Sequence, residues 1–119
     1  MSGKREIACG VDVHNRFIVA TILSSDGLKL QDRFETNLEE LLKFKDWLKE
    51  NGCHKVALES TGNYWLLIYH VLEGSVNFIL ANAYQIKHIP GRKTDSLDSE
   101  WIAELCLKNL ISPSRIFTK

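Results

Sequence analysis

The sequence has no excess of charge, no paired cysteines and no long apolar run, and each absence removes a class of function. Lysine plus arginine and aspartate plus glutamate stand at 15 each, so bulk charge gives no attraction to a polyanion and any basic surface must be local. Cys9, Cys53 and Cys106 are odd in number, scattered and without a C-x-x-C pair. They fit reduced, mostly buried thiols rather than a disulfide framework or a zinc site. No apolar stretch approaches the ~20 residues of a membrane span. The polar start Ser2-Gly3-Lys4-Arg5-Glu6 is unlike a signal peptide, so a cytoplasmic protein with no membrane partner is expected. Phosphate-cradling patterns of the G-x-x-x-x-G-K or G-x-G-x-x-G type are missing, as are repeats and low-complexity tracts. What is present is an ordinary globular composition, 45% hydrophobic and 25% charged over 119 residues, read as one domain spanning 1–119.

Taken in order, residues 6–13 read as a strand and 17–23 as a second after the turn His14-Asn15. Ser24-Ser25-Asp26-Gly27 is a hairpin turn, and 28–35 alternates apolar and polar like a half-exposed edge strand. Thr36 with Glu39 forms a capping box for a helix whose Leu38, Leu41, Leu42, Phe44 and Leu48 recur at helical spacing, ended by Asn51-Gly52. Residues 55–59 form a short apolar strand, and the turn 60–63 leads into a helix over 64–72 with Leu67, Ile68 and Val71 inward. Gly74-Ser75 ends it, and 76–81 reads as a strand buried on both faces. A short helix over 83–89 and the break Pro90-Gly91 precede a last helix over about 96–109, with Leu97, Trp101, Ile102 and Leu105 inward.

The order β-β-β-α-β-α-β-α predicts an α/β fold: a mixed five-stranded sheet with helices on both faces, the element order of the ribonuclease H fold. In that arrangement the first and fourth strands are neighbours. Asp12, flanked by Val11 and Val13, then meets Glu59 at the end of 55–59. The last helix would bring Asp95 and Asp98, spaced i and i+3. Oxygen donors from three separated elements, with no thiolate, suit Mg²⁺. Two such ions about 3.5–4 Å apart clamp the attacking and leaving oxygens of a phosphoryl transfer.

Each acid also has an ordinary reading. Asp95 and Asp98 can simply complement a helix N-terminus, and Glu59 can be a solvated strand end. His14 lies on the same strand face as Asp12 and can touch phosphate or water, or be a polar strand-end residue. Ser60, Thr61 and Gly62 can approach substrate or merely turn the chain. Lys87, His88, Arg92 and Lys93, the one concentrated basic segment, can hold nucleic-acid phosphates or form a solvated loop. Trp47, Trp65 and Trp101 sit at helical spacing and read as core or partner contacts rather than base-stacking platforms.

Gly10-Val11-Asp12-Val13-His14, then Ala57-Leu58-Glu59-Ser60-Thr61-Gly62-Asn63-Tyr64, then Lys93-Thr94-Asp95-Ser96-Leu97-Asp98 resemble the DEDD transposases of the insertion sequence 110 family, relatives of the pilin-gene invertase. The resemblance spans nearly the whole chain, and its second and third segments are its specific part. It implies a RuvC-like domain whose catalytic, metal-binding tetrad is Asp12, Glu59, Asp95 and Asp98, using Mg²⁺ with Mn²⁺ as a substitute. It further implies DNA transposition in a prokaryotic cytoplasm, an associated guide (bridge) RNA, and a homo-oligomer of the full-length protein. Family members continue into a helical region and a C-terminal domain bearing a nucleophilic serine. That domain is expected to be absent here, so that this chain alone would not complete recombination. None of Ser96, Ser99, Ser112 or Ser114 takes the serine's role through the resemblance. The competing expectations are a stand-alone nuclease of the Holliday-junction type and a non-enzymatic assembly module. An actin-like or sugar-kinase ATPase half is disfavoured by the missing glycine-rich loop after the first strand.

Overall fold

In the computed structural model, which describes residues 6–59, 65–81 and 99–110, the first part of the chain forms a meander. β1 (Ile7–Val13), β2 (Phe17–Ser24) and β3 (Lys29–Glu35) pair antiparallel. The β2–β3 turn follows from Ser24-Ser25-Asp26-Gly27. Gly27 takes φ +99°, and the Ser24 hydroxyl accepts the Leu28 N–H at 3.0 Å while donating to Asp26.

The second part alternates. α1 (Leu38–Glu50), β4 (Lys55–Glu59), α2 (Trp65–Leu72), β5 (Asn77–Ala81) and α3 (Ser99–Leu107) follow in that order. β4 adds to β1 in parallel and β5 adds to β4 in parallel, giving the sheet order β3-β2-β1-β4-β5. This is the ribonuclease H-like sheet that the element order predicts. No helix among the described residues is long and apolar enough to cross a membrane.

Two apolar layers hold the sheet. On one face, Cys9, Val11, Ile18, Ile22, Val56 and Leu58 pack with Leu41, Phe44 and Leu48 of α1 and with Ile68 and Leu72 of α2. Phe34, Phe44 and Trp47 form an aromatic cluster within that layer, with ring centroids 5.1–6.1 Å apart. On the other face, Ala8, Ala57, Ile79 and Ala81 pack with Trp101, Ile102, Leu105 and Cys106 of α3. Small side chains on the strands let this helix lie close to the sheet.

Several local expectations shift. The cap of α1 is Asn37, not Thr36: the Asn37 Oδ1 accepts the Glu40 N–H at 2.8 Å. Thr36 is held just beyond the end of β3 instead, its N–H donating to the Arg16 carbonyl ahead of β2 at 3.0 Å, so the helix begins one residue later. Leu38 and Leu42 are 59% and 45% exposed, because α1 buries only the narrower row of Leu41, Phe44 and Leu48. In α2, Leu67 is exposed and Leu72 takes its place inward. β5 begins at Asn77 rather than 76, and only Ile79, Leu80 and Ala81 are buried, while Phe78 at this sheet edge is half-buried against the Tyr69 ring of α2. Tyr64, Leu97 and the short helix expected over 83–89 lie outside the described residues.

Candidate metal centre

The face under α3 carries Asp12 and Glu59. Strand alternation places Ala8, Gly10 and Asp12 of β1, and Ala57 and Glu59 of β4, on one side, the side on which Ala8 and Ala57 meet α3. The parallel register pairs Gly10 with Ala57 and Val11 with Leu58. One step further brings Asp12 beside Glu59 at the carboxyl ends of both strands, where ligands of such sheets collect. The juxtaposition of strands one and four expected from the element order is therefore present.

Their surroundings differ. Asp12 keeps 23% of its side chain exposed, and its Oδ2 lies 3.0 Å from Nε2 of His14, itself 43% exposed. His14 also stacks on Phe17, with centroids 4.5 Å apart and planes 20° from parallel, so its ring is held from two directions. Glu59 Oε2 is buried and has no hydrogen-bond partner among the described residues. A buried carboxylate oxygen without a partner costs about 1–3 kcal/mol or more. A cation bound there would remove that cost. The donor set around it suits a hard divalent ion, since the paired groups are carboxylates and Cys9 alternates to the opposite face.

Asp95 and Asp98 lie outside the described residues, as do Thr61, Lys87, His88, Arg92 and Lys93. Among the described residues, no group of three or more metal-ligating side chains occurs, and the sheet contributes Asp12 and Glu59. What is described is the helix that follows Asp98 in the chain, and it is pegged tightly to the acid-bearing face. A Cβ on Gly10 would stand 2.1 Å from Ala103 N and 2.3 Å from Ser99 O, so helix backbone rests directly on strand backbone. The Ser99 and Thr21 hydroxyls, both buried, hydrogen-bond at 2.6 Å, and Gln31 Nε2 donates to Thr21 Oγ1 at 2.9 Å. At the far end Lys55 Nζ donates to Asn109 Oδ1 at 2.6 Å, where Asn109 closes the helix with φ +59°. Ser99 is thus a structural hydroxyl.

Sequence reasoning missed Gly10, Thr21, Gln31 and the cation–π pair of Arg33, 3.9 Å above the Phe17 ring. Two of these left a signal. A glycine inside a strand often marks close backbone approach, and Thr21 interrupts an otherwise apolar strand. Gln31 and Arg33 left none, because their partners are set by strand register.

Comparison with known proteins adds one strong match. A family model of DEDD transposases of the insertion sequence 110 type, described as transposase, matches residues 9–118. No curated protein matches the chain. Among solved structures, the crystal structure of the Aquifex aeolicus member of the Ppx/GppA family is similar, with 13% identity and a TM-score of 0.43. That similarity covers 71% of this chain and 38% of the other, so the chain spans well under half the length of that structure, and a likeness this distant carries no argument about function.

Proposed function

The chain belongs to the DEDD transposases of the insertion sequence 110 family, and from that premise we propose that the α3 face of its sheet is the metal-binding part of a DNA phosphoryl-transfer site. Family membership supports a DNA transposase catalytic domain. The observation that carries the metal reading is the buried, unpartnered Oε2 of Glu59 beside Asp12 at the carboxyl ends of two parallel strands.

In this reading Asp12, Glu59, Asp95 and Asp98 hold Mg²⁺, with Mn²⁺ able to substitute, and the bound ions supply an activated oxygen nucleophile and charge neutralisation at the phosphate. Asp12 is a partly exposed ligand in this reading, and His14 orients its carboxylate. Glu59 anchors the site from its buried side. The peg of Ser99 on Thr21 and Gly10 holds the start of α3, and Asp98 immediately precedes Ser99 in the chain. Lys87, His88, Arg92, Lys93 and Thr61 are proposed contacts to nucleic acid. Residues 1–119 form a single RuvC-like domain in this account. Its partners are DNA and a guide RNA, with self-association in the full-length protein and action in a prokaryotic cytoplasm. The guide RNA rests on family membership alone.

Melting curves with and without Mg²⁺ or Mn²⁺ test the proposal. A ligand bound only by the folded state raises its stability by about 2.7 kcal/mol at a concentration one hundred times its Kd. The wild-type chain should show such a rise. Asp12→Asn and Glu59→Gln should lose it while keeping, or slightly raising, the metal-free midpoint, because carboxylate repulsion is relieved. A wild-type midpoint indifferent to both metals contradicts the proposal.

A further inference from the structure

The acid-bearing face continues past Asp12 onto the outer strands. Gln31 reaches Thr21 beneath α3, so Thr21, Val19 and Phe17 of β2 and Gln31 and Arg33 of β3 share that face by alternation. The register sets Asp12 opposite Val19 and Val19 opposite Arg33. Arg33 therefore stands two strands from Asp12, about 10 Å at the usual interstrand spacing. A row of contacts connects them. The Arg33 guanidinium lies 3.9 Å above the Phe17 ring, the His14 ring stacks on Phe17 at 4.5 Å, and His14 Nε2 reaches Asp12 at 3.0 Å.

This arrangement leaves the guanidinium's donors open. A cation–π contact fixes the position of the group without engaging its N–H fork. Arg33 is exposed, and no carboxylate pairs with its guanidinium among the described residues. Asp32 alternates to the other face, its Oδ1 accepting the Arg33 backbone N–H at 2.7 Å, and Glu35, on the same face, forms no ion pair with it. Lys29, the other β3 cation on this side, is committed to Glu100 at 3.1 Å. A fixed fork of donors on the face that carries Asp12 and Glu59 suits a phosphodiester. The need is physical as well. Acids grouped at one site repel a polyanion, and a cation on the same face offsets part of that repulsion by direct contact with a phosphate.

We propose that Arg33, held on Phe17, binds a backbone phosphate of the nucleic-acid strand on which the acidic site acts. The choice of ligand rests on the transposase reading. The test is fluorescence anisotropy of a fluorescein-labelled single-stranded DNA oligonucleotide titrated with the full chain, in EDTA and over a range of salt concentrations. Arg33→Gln should bind about three- to tenfold more weakly than wild type, with its log–log salt slope reduced by about 0.7. Arg33→Lys, which keeps the charge but loses the fork, should fall between the two. Wild-type affinity and slope in Arg33→Gln overturn the proposal, and so does a wild-type chain that fails to bind. Because EDTA removes metal from the measurement, failure here leaves the Mg²⁺-dependent melting shift standing, and loss of that shift leaves this result standing.

Discussion

Gly10, two residues before Asp12 on one strand, shows how little room the α3 face allows. The hydrogen of Gly10 faces helix backbone, which cannot rotate away as a side-chain tip can. Gly10→Ala should therefore destabilise by about 3 kcal/mol, the upper end of overpacking costs. Chemical denaturation measures this directly, and a loss below 1 kcal/mol (about a third of that expectation) would mean that the helix yields easily. The buried cysteines give a pH signature at the same scale. Burial pushes the Cys9 thiol well above its ordinary value and raises Cys106 to about 11. The folded state thus favours the protonated thiol. That contribution is fully present below the unfolded value of about 8.5 and is lost as pH climbs toward the folded value. Stability should fall between those limits, and substituting Cys106 by alanine should flatten part of the fall.

At the scale of elements, the hydroxyl peg under α3 is the joint between the helix and the sheet. Thr21→Val removes the hydroxyl while keeping the shape, leaving Ser99 Oγ buried and Gln31 Nε2 without their bond. That should cost about 1–3 kcal/mol, and Thr21→Ser should recover most of it. Equal midpoints for the valine and serine variants would show that the peg contributes nothing. Elements also show where the sequence was readable. Strand patterns, the Gly27 turn and the helix stop at Asn51-Gly52 are local, and the structure keeps them. The cap moved from Thr36 to Asn37 because a backbone bond to Arg16 competes for the Thr36 N–H, and that competitor is remote in sequence. Leu38 and Leu42 share the helical spacing of the buried row but face outward, since periodicity alone does not say how wide a face the sheet will cover.

For the whole molecule, the element order was enough to place β1 beside β4, and with it Asp12 beside Glu59, because a meander followed by parallel crossovers admits few sheet orders. The site was legible to that extent. Its acids announce themselves by standing in apolar strands, whereas the peg and the Arg33–Phe17–His14 row arise from register across three strands. The most direct test of the central claim is anomalous diffraction from a crystal of this chain soaked in Mn²⁺. The account predicts a manganese peak within coordinating distance, about 2.0–2.2 Å, of oxygens of both Asp12 and Glu59, absent in Glu59→Gln. A well-ordered Glu59 side chain with no peak between it and Asp12 would contradict it.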